Sequence, residues 1–152
     1  MQLNHYLNFK GQTEAAFEFY KSAFDGQFSY FTRYGDMPPH DGVALSDEEK
    51  QCIMHVSLEI QDNIVLMGSD VLEKFCTAEF APFLIGTNHY ISINLEHSEQ
   101  AKAYEYYEKL SVNGTIEAVL DRTFWGALYG AFTDQFGIKW MINCQLEEPK
   151  SP

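Results

Sequence analysis

Residues 3–24, LNHYLNFKGQTEAAFEFYKSAF, decide how the rest of the chain is read. The first seven alternate, so Leu7 and Phe9 face one side of a strand while Tyr6 and Asn8 face the other. Gly11 breaks the strand, and Thr13 ahead of Glu14 is the expected N-cap of a helix. Ala16, Phe17, Tyr20, Ala23 and Phe24 then recur at helical spacing, which predicts one apolar stripe lying on a sheet. Gly26 is the expected helix stop.

Working outward, residues 28–34, 52–60 and 63–69 read as three further strands, the last two joined by a tight turn at Gln61, Asp62 and Asn63. Residues 35–51, with Pro38, Pro39, Gly42 and the acidic run from Asp47, read as a surface loop and a candidate lid. After a connector at 72–87 the opening pattern returns. Residues 89–95 alternate, Ser98 is the expected cap of a helix running to about Val112, and 115–121, 127–133 and 138–145 read as strands. Local echoes support a duplication: His5-Tyr6-Leu7-Asn8 is answered by His89-Tyr90-Ile91-Ser92, and Met67 on one last strand by Met141 on the other. The expectation is one α+β domain over residues 1–152, built of two β-α-β-β-β modules at about 1–71 and 88–146, with a frayed tail at 147–152.

Composition narrows the partners. A net charge of −12 repels phosphate backbones and anionic membranes, so nucleic acid is not expected. No apolar run reaches roughly eighteen residues, and no basic region with an apolar stretch follows Met1, so neither a membrane span nor a signal peptide is predicted. Cys52, Cys76 and Cys144 are odd in number and lack CxxC spacing, which suits buried thiols in a reducing cytoplasm. The 12 Phe, 9 Tyr and 2 Trp are many for this size; most are expected in the core, and a few are candidates for lining a ligand site.

Two stretches resemble a known family. The opening HYLNFKGQTEAAFEFYKSAF and the closing RTFWGALYGAFTDQFGIKWMIN, residues 122–143, are similar to the PhnB-like branch of the vicinal oxygen chelate superfamily, which includes glyoxalases, bleomycin-resistance proteins and dioxygenases. The closing stretch is the more specific, because Phe124-Trp125-Gly126 and the F-T-D-x-F-G-x-x-W-M-I-N run occur together. The resemblance implies paired modules forming curved mixed sheets around a cavity, within a homodimer. It also attracts a ubiquinone-pathway methyltransferase assignment, but a nucleoside methyl donor normally sits on a glycine-rich strand-to-helix turn, and neither Gly11 nor Gly86 stands in such a cluster.

Enzymes of this superfamily hold one divalent ion with His, Glu or Gln from the first and last strand of each module. The resemblance places Met67 and Met141 where a metal enzyme carries oxygen donors, and a thioether is a poor ligand for such ions. On the first strands, counting back from Phe19-Tyr20 puts His5 on the ligand position, whereas alternation turns His5 and His89 toward the helices and leaves Tyr6 and Tyr90 facing inward. Facing is fixed by burial, so the expected ligand cavity is lined by Tyr6, Asn8, Met67, Tyr90, Ser92 and Met141, with Trp125 as a candidate wall, and no metal site or cofactor is expected. The expected function is a dimeric, cytoplasmic small-molecule-binding protein. The alternative is a lyase or dioxygenase with one divalent ion on His5, His89 and a carboxylate such as Glu59 or Glu117. A metal-free acid-base enzyme using Tyr6 or Tyr90 is a third reading, weakened because the sequence shows no cationic neighbour to either phenol.

Overall fold

The computed structural model describes residues 3–38, 42–61, 63–76 and 82–146. The expected tail at 147–152 and His40 of the loop lie outside them. All eight expected strands are present: β1 (His5–Phe9), β2 (Gln27–Arg33), β3 (Ile53–Gln61), β4 (Ile64–Asp70), β5 (Ile91–Leu95), β6 (Thr115–Arg122), β7 (Ala127–Thr133) and β8 (Lys139–Gln145). The helices are α1 (Thr13–Phe24), α2 (Asp47–Gln51) and α3 (Gln100–Leu110). They make two mixed four-stranded sheets, ordered β1-β4-β3-β2 and β5-β8-β7-β6. In each, the first strand runs parallel to the last and the other pairs are antiparallel. The architecture is α+β, and neither sheet closes. The chain divides into two compact units at residues 1–84 and 85–152.

In the first unit α1 buries Ala16, Phe17, Tyr20, Ala23 and Phe24 against Leu7, Phe9, Val56, Leu58 and Leu66. Each large side chain of that stripe contributes about 1.5–3 kcal/mol by leaving water. Leu7 and Phe9 are buried while Tyr6 and Asn8 are exposed, so burial fixes the facing of β1. Gly68 on β4 lets the helix come this close, since a Cβ there would stand 2.5 Å from the Phe17 ring. The second unit solves the same crowding on another strand: Gly130 of β7 lies under Tyr107 of α3, and its cross-strand neighbour on β8 is Ile142. In the first unit the glycine, Gly68, is on the last strand, β4, and its neighbour Val56 is on β3.

The helix ends differ from expectation. Thr13 is the first residue of α1, not its cap; its N–H and its hydroxyl both donate to Asp70 Oδ1, at 3.1 and 2.7 Å. The other oxygen, Oδ2, accepts from Ile53 N–H at 2.8 Å. Asp70 is only 3% exposed, so a carboxylate at the end of β4 fixes the start of α1 and the start of β3 together. At the far end of α1, Asp25 rather than Gly26 takes the left-handed conformation, with φ 54°. Ser98 lies inside a 3-10 turn, His97–Glu99, whose capping exchange runs between Glu96 and Glu99. Asp47–Gln51, expected as loop, is helical because Ser46 accepts from Glu49 N–H and the Glu49 carboxylate accepts from Ser46 N–H.

Two substitutions test this packing. Asp70→Ala leaves the buried Thr13 and Ile53 donors without their acceptor and should cost about 3 kcal/mol in urea unfolding, with an unchanged slope; a loss below about 1 kcal/mol would contradict the role given to it. Gly68→Ala should cost about 1–3 kcal/mol through the clash with Phe17, and Phe17→Leu in the same chain should recover part of it.

Candidate functional site

The faces turned away from the helices carry the polar side chains. On the first sheet, the β1–β4 register sets Tyr6 beside Met67 and Asn8 beside Ser69, and the β3–β4 register sets Ser57 beside Met67. Ser69 Oγ donates to Asn8 Oδ1 at 3.3 Å. His55 of β3 is the residue that the sequence does not single out. Its Nδ1 lies 3.0 Å from Tyr6 Oη, its Nε2 lies 3.0 Å from Ser57 Oγ, and its ring stands between those of Tyr6 and Tyr30, at centroid distances of 5.5 and 5.6 Å. Residues on three strands thus meet around one imidazole.

On the second sheet the β5–β8 register pairs Ser92 with Met141 and Asn94 with Asn143. Tyr90 stands just before β5, not opposite Met141. The His-Tyr echo therefore does not mark equivalent positions: with Met67 matched to Met141, Tyr6 corresponds to Ser92, two residues later. A shift of two preserves the facing, so Tyr90 and Ser92 belong to one face. Tyr90 is instead held by Glu117 of β6. One oxygen of Glu117 accepts from Tyr90 Oη, and the other accepts from Thr133 Oγ1 and Lys139 Nζ. Lys139 also lies over the Tyr90 ring, 4.6 Å from its centroid. The hydrogen bonds from Lys139, Thr133 and Tyr90 hold the Glu117 pKa down at about 2. Lys139 is the cation near Tyr90 that the sequence did not place there. Trp125 and Phe124 sit in the β6–β7 turn, exposed, with Trp125 edge-on to Tyr129 at 6.1 Å.

A cavity of about 800 Å³ is lined by Tyr34, Met37, Val43, Leu45, Met54 and Phe75, with Lys50 at its wall. Its lining is mainly apolar, and none of the residues expected in the ligand cavity takes part.

The chain belongs to the Glyoxalase/Bleomycin resistance protein/Dioxygenase superfamily, whose family model matches residues 2–142. Protein YjdN of Escherichia coli is 25% identical over 98% of this chain and 99% of its own. Among solved structures, protein PA1353 from Pseudomonas aeruginosa is 30% identical, with a TM-score of 0.79 over 95% of this chain and 98% of that one. A PhnB protein from Bacillus cereus shares 20% identity with a TM-score of 0.65, over 95% of this chain and 99% of its own. The superfamily resemblance is thus found in the sequence, and the α+β fold of two mixed four-stranded sheets in the structure.

The superfamily's metal enzymes raise the question of whether a divalent ion would fit here. In register, Tyr6 adjoins Met67 and Ser92 adjoins Met141, so neither pair offers a carboxylate or an imidazole. Glu117 has both oxygens engaged by neutral donors and by Lys139, which would have to be displaced. Glu59 lies at the β3–β4 hairpin end among Asp25, Gln27 and Asn63. Among the described residues no three His, Cys, Asp or Glu side chains come together as a ligand set. These residues do not fit a divalent ion.

Glu117 yields a pH test. Its folded pKa lies below the ordinary carboxylate value, so its contribution to stability is present above about pH 4.5 and is lost as pH falls toward 2. Wild type should melt above Glu117→Gln at neutral pH, and the gap should close between those limits. A gap independent of pH would show that the charge of Glu117 is not what stabilises.

Proposed function

We propose that this chain is a small-molecule-binding member of the superfamily, working as a homodimer in the cytoplasm without a catalytic metal. The observation that carries the reading is the pairing of a thioether with a hydroxyl at both first-strand/last-strand positions, Tyr6 with Met67 and Ser92 with Met141. A thioether adapts to apolar ligand surface, while hydroxyls and amides fix orientation through a few directed hydrogen bonds. Tyr6, Asn8, Ser69, Ser92 and Asn94 supply those groups on the faces away from the helices. Ligand contact by Trp125 and Tyr129 at the end of the second sheet belongs to the same reading.

The metal part is tested by thermal melting. An ion present at about a hundred times its Kd adds about 2.7 kcal/mol, which raises Tm by roughly 5–10 °C in a chain this long. Mn(II), Ni(II), Zn(II) and Fe(II) should each leave Tm unchanged, and the purified protein should hold less than about a tenth of an ion per chain. A rise of several degrees with any one of them sinks the metal-free reading. For the binding part, native mass spectrometry should find a retained small molecule, or a ligand screen a saturable one, on a species of twice the 17.5 kDa chain mass.

A further inference from the structure

We propose that Tyr6, His55 and Ser57 form a proton-transfer site that acts on uncharged hydroxyl- or carbonyl-bearing small molecules; the proposal rests on the binding reading above. The two His55 nitrogens are each 3.0 Å from a hydroxyl oxygen, one on β1 and one on its own strand. A hydroxyl within reach of an imidazole whose far nitrogen is held by a third group is the geometry of an activated hydroxyl and its base. The arrangement also has direction. Tyr6 is 44% exposed and Ser57 is 9% exposed, so the phenol is the end that meets a ligand and Ser57 the end that anchors. His55 is half-buried, stacked on the Tyr6 ring and tilted against that of Tyr30.

Both neutral tautomers of His55 satisfy the two contacts; the proposed transfer uses the one in which Nε2–H donates to Ser57 Oγ and Nδ1 accepts from the Tyr6 O–H. When a ligand O–H, or a C–H beside a carbonyl, gives its proton to Tyr6 Oη, the Tyr6 proton passes to Nδ1. The electron pair stays on the ligand as alkoxide or enolate, and His55 becomes the imidazolium, with its Nε2–H still held by Ser57. A phenol alone is a far weaker acid than an imidazolium, so the two protons move together and no phenolate accumulates. Returning a proton to the same or the neighbouring atom closes the cycle as exchange or tautomerisation, with no oxidant, reductant or metal required.

Ligand class follows from the surroundings. Asn8, Tyr30, Met67 and Ser69 around this site carry no charge, in a chain whose net charge is −12. An uncharged ligand with an oxygen for Tyr6 and an apolar edge for Met67 and the rings meets that face without a desolvated charge.

The experiment follows deuterium entry from D2O at the α-carbon of acetoin and of dihydroxyacetone by NMR, with saturation transfer from protein to the same probes read in parallel. Wild type should exchange at least one probe about a hundredfold above buffer, the lower end of what positioned acid-base groups supply. Tyr6→Phe and His55→Gln should fall to the buffer rate while melting as wild type. Ser57, a positioning residue, should behave differently: Ser57→Ala keeps saturation transfer and loses most of the exchange, and Ser57→Thr restores it. Exchange by Tyr6→Phe at the wild-type rate overturns the proposal, as does wild type at the buffer rate. If the probes bind without exchanging, proton transfer is overturned and the binding reading stands. If neither binds, the ligand class is overturned, and the binding reading is judged by its own mass spectrometry.

Discussion

Each sheet has one helix to bury against, and the functional layout follows from that asymmetry. A strand alternates with period two, so a sheet covered on one side must send its apolar residues there and its polar ones to the other. Once Phe17 and Tyr20 sit on Leu7, Phe9 and Val56, the facing of Tyr6, His55, Ser57 and Met67 is no longer adjustable. A one-residue slip of β1 would bury Tyr6 and expose Leu7 and Phe9, at a cost of several kcal/mol from burial alone. The site is thus held in place by the core behind it.

Buried carboxylates finish the work of fixing strands. Asp70 accepts from three N–H and O–H donors at the N-terminal end of α1 and the start of β3. Asp134, 4% exposed, does the corresponding work in the second unit with different partners: Phe136 and Ile138 N–H on one oxygen and Trp140 Nε1 on the other. One joins a helix to two strands, while the other closes the β7–β8 turn and pins the largest buried side chain. The two units share a strand order, yet each arrives at its own polar scaffold.

The fold was legible because alternation and helical spacing are local signals, and all eight strands and both long helices show them. Local signals also explain what was missed. The helix at Asp47–Gln51 had a readable mark in the Ser46-x-x-Glu49 pair, which the acidic run beside it obscured. The set of Tyr6, His55 and Ser57 had none, since it depends on which residue of β3 lies near which residue of β1 across the intervening β4. Lys139 and Glu117 come from different strands for the same reason. The matched His-Tyr pairs misled by two residues because similarity of four letters carries less information than the hydrogen-bond register. Which face was readable; which neighbour was not.

What the two sheets do with their hydroxyls then separates them chemically. Tyr90 is committed to a carboxylate already paired with Lys139, so its proton is held in an ion-pair network that a ligand would have to break. Tyr6 is hydrogen-bonded to the His55 imidazole, whose other nitrogen meets the Ser57 hydroxyl, so neither contact is to a carboxylate or an ammonium. Breaking a charge-assisted hydrogen bond costs more than forming a neutral one returns. Of the two phenols, Tyr6 is therefore the one free to answer a ligand, and Tyr90 the one that stiffens the sheet it belongs to.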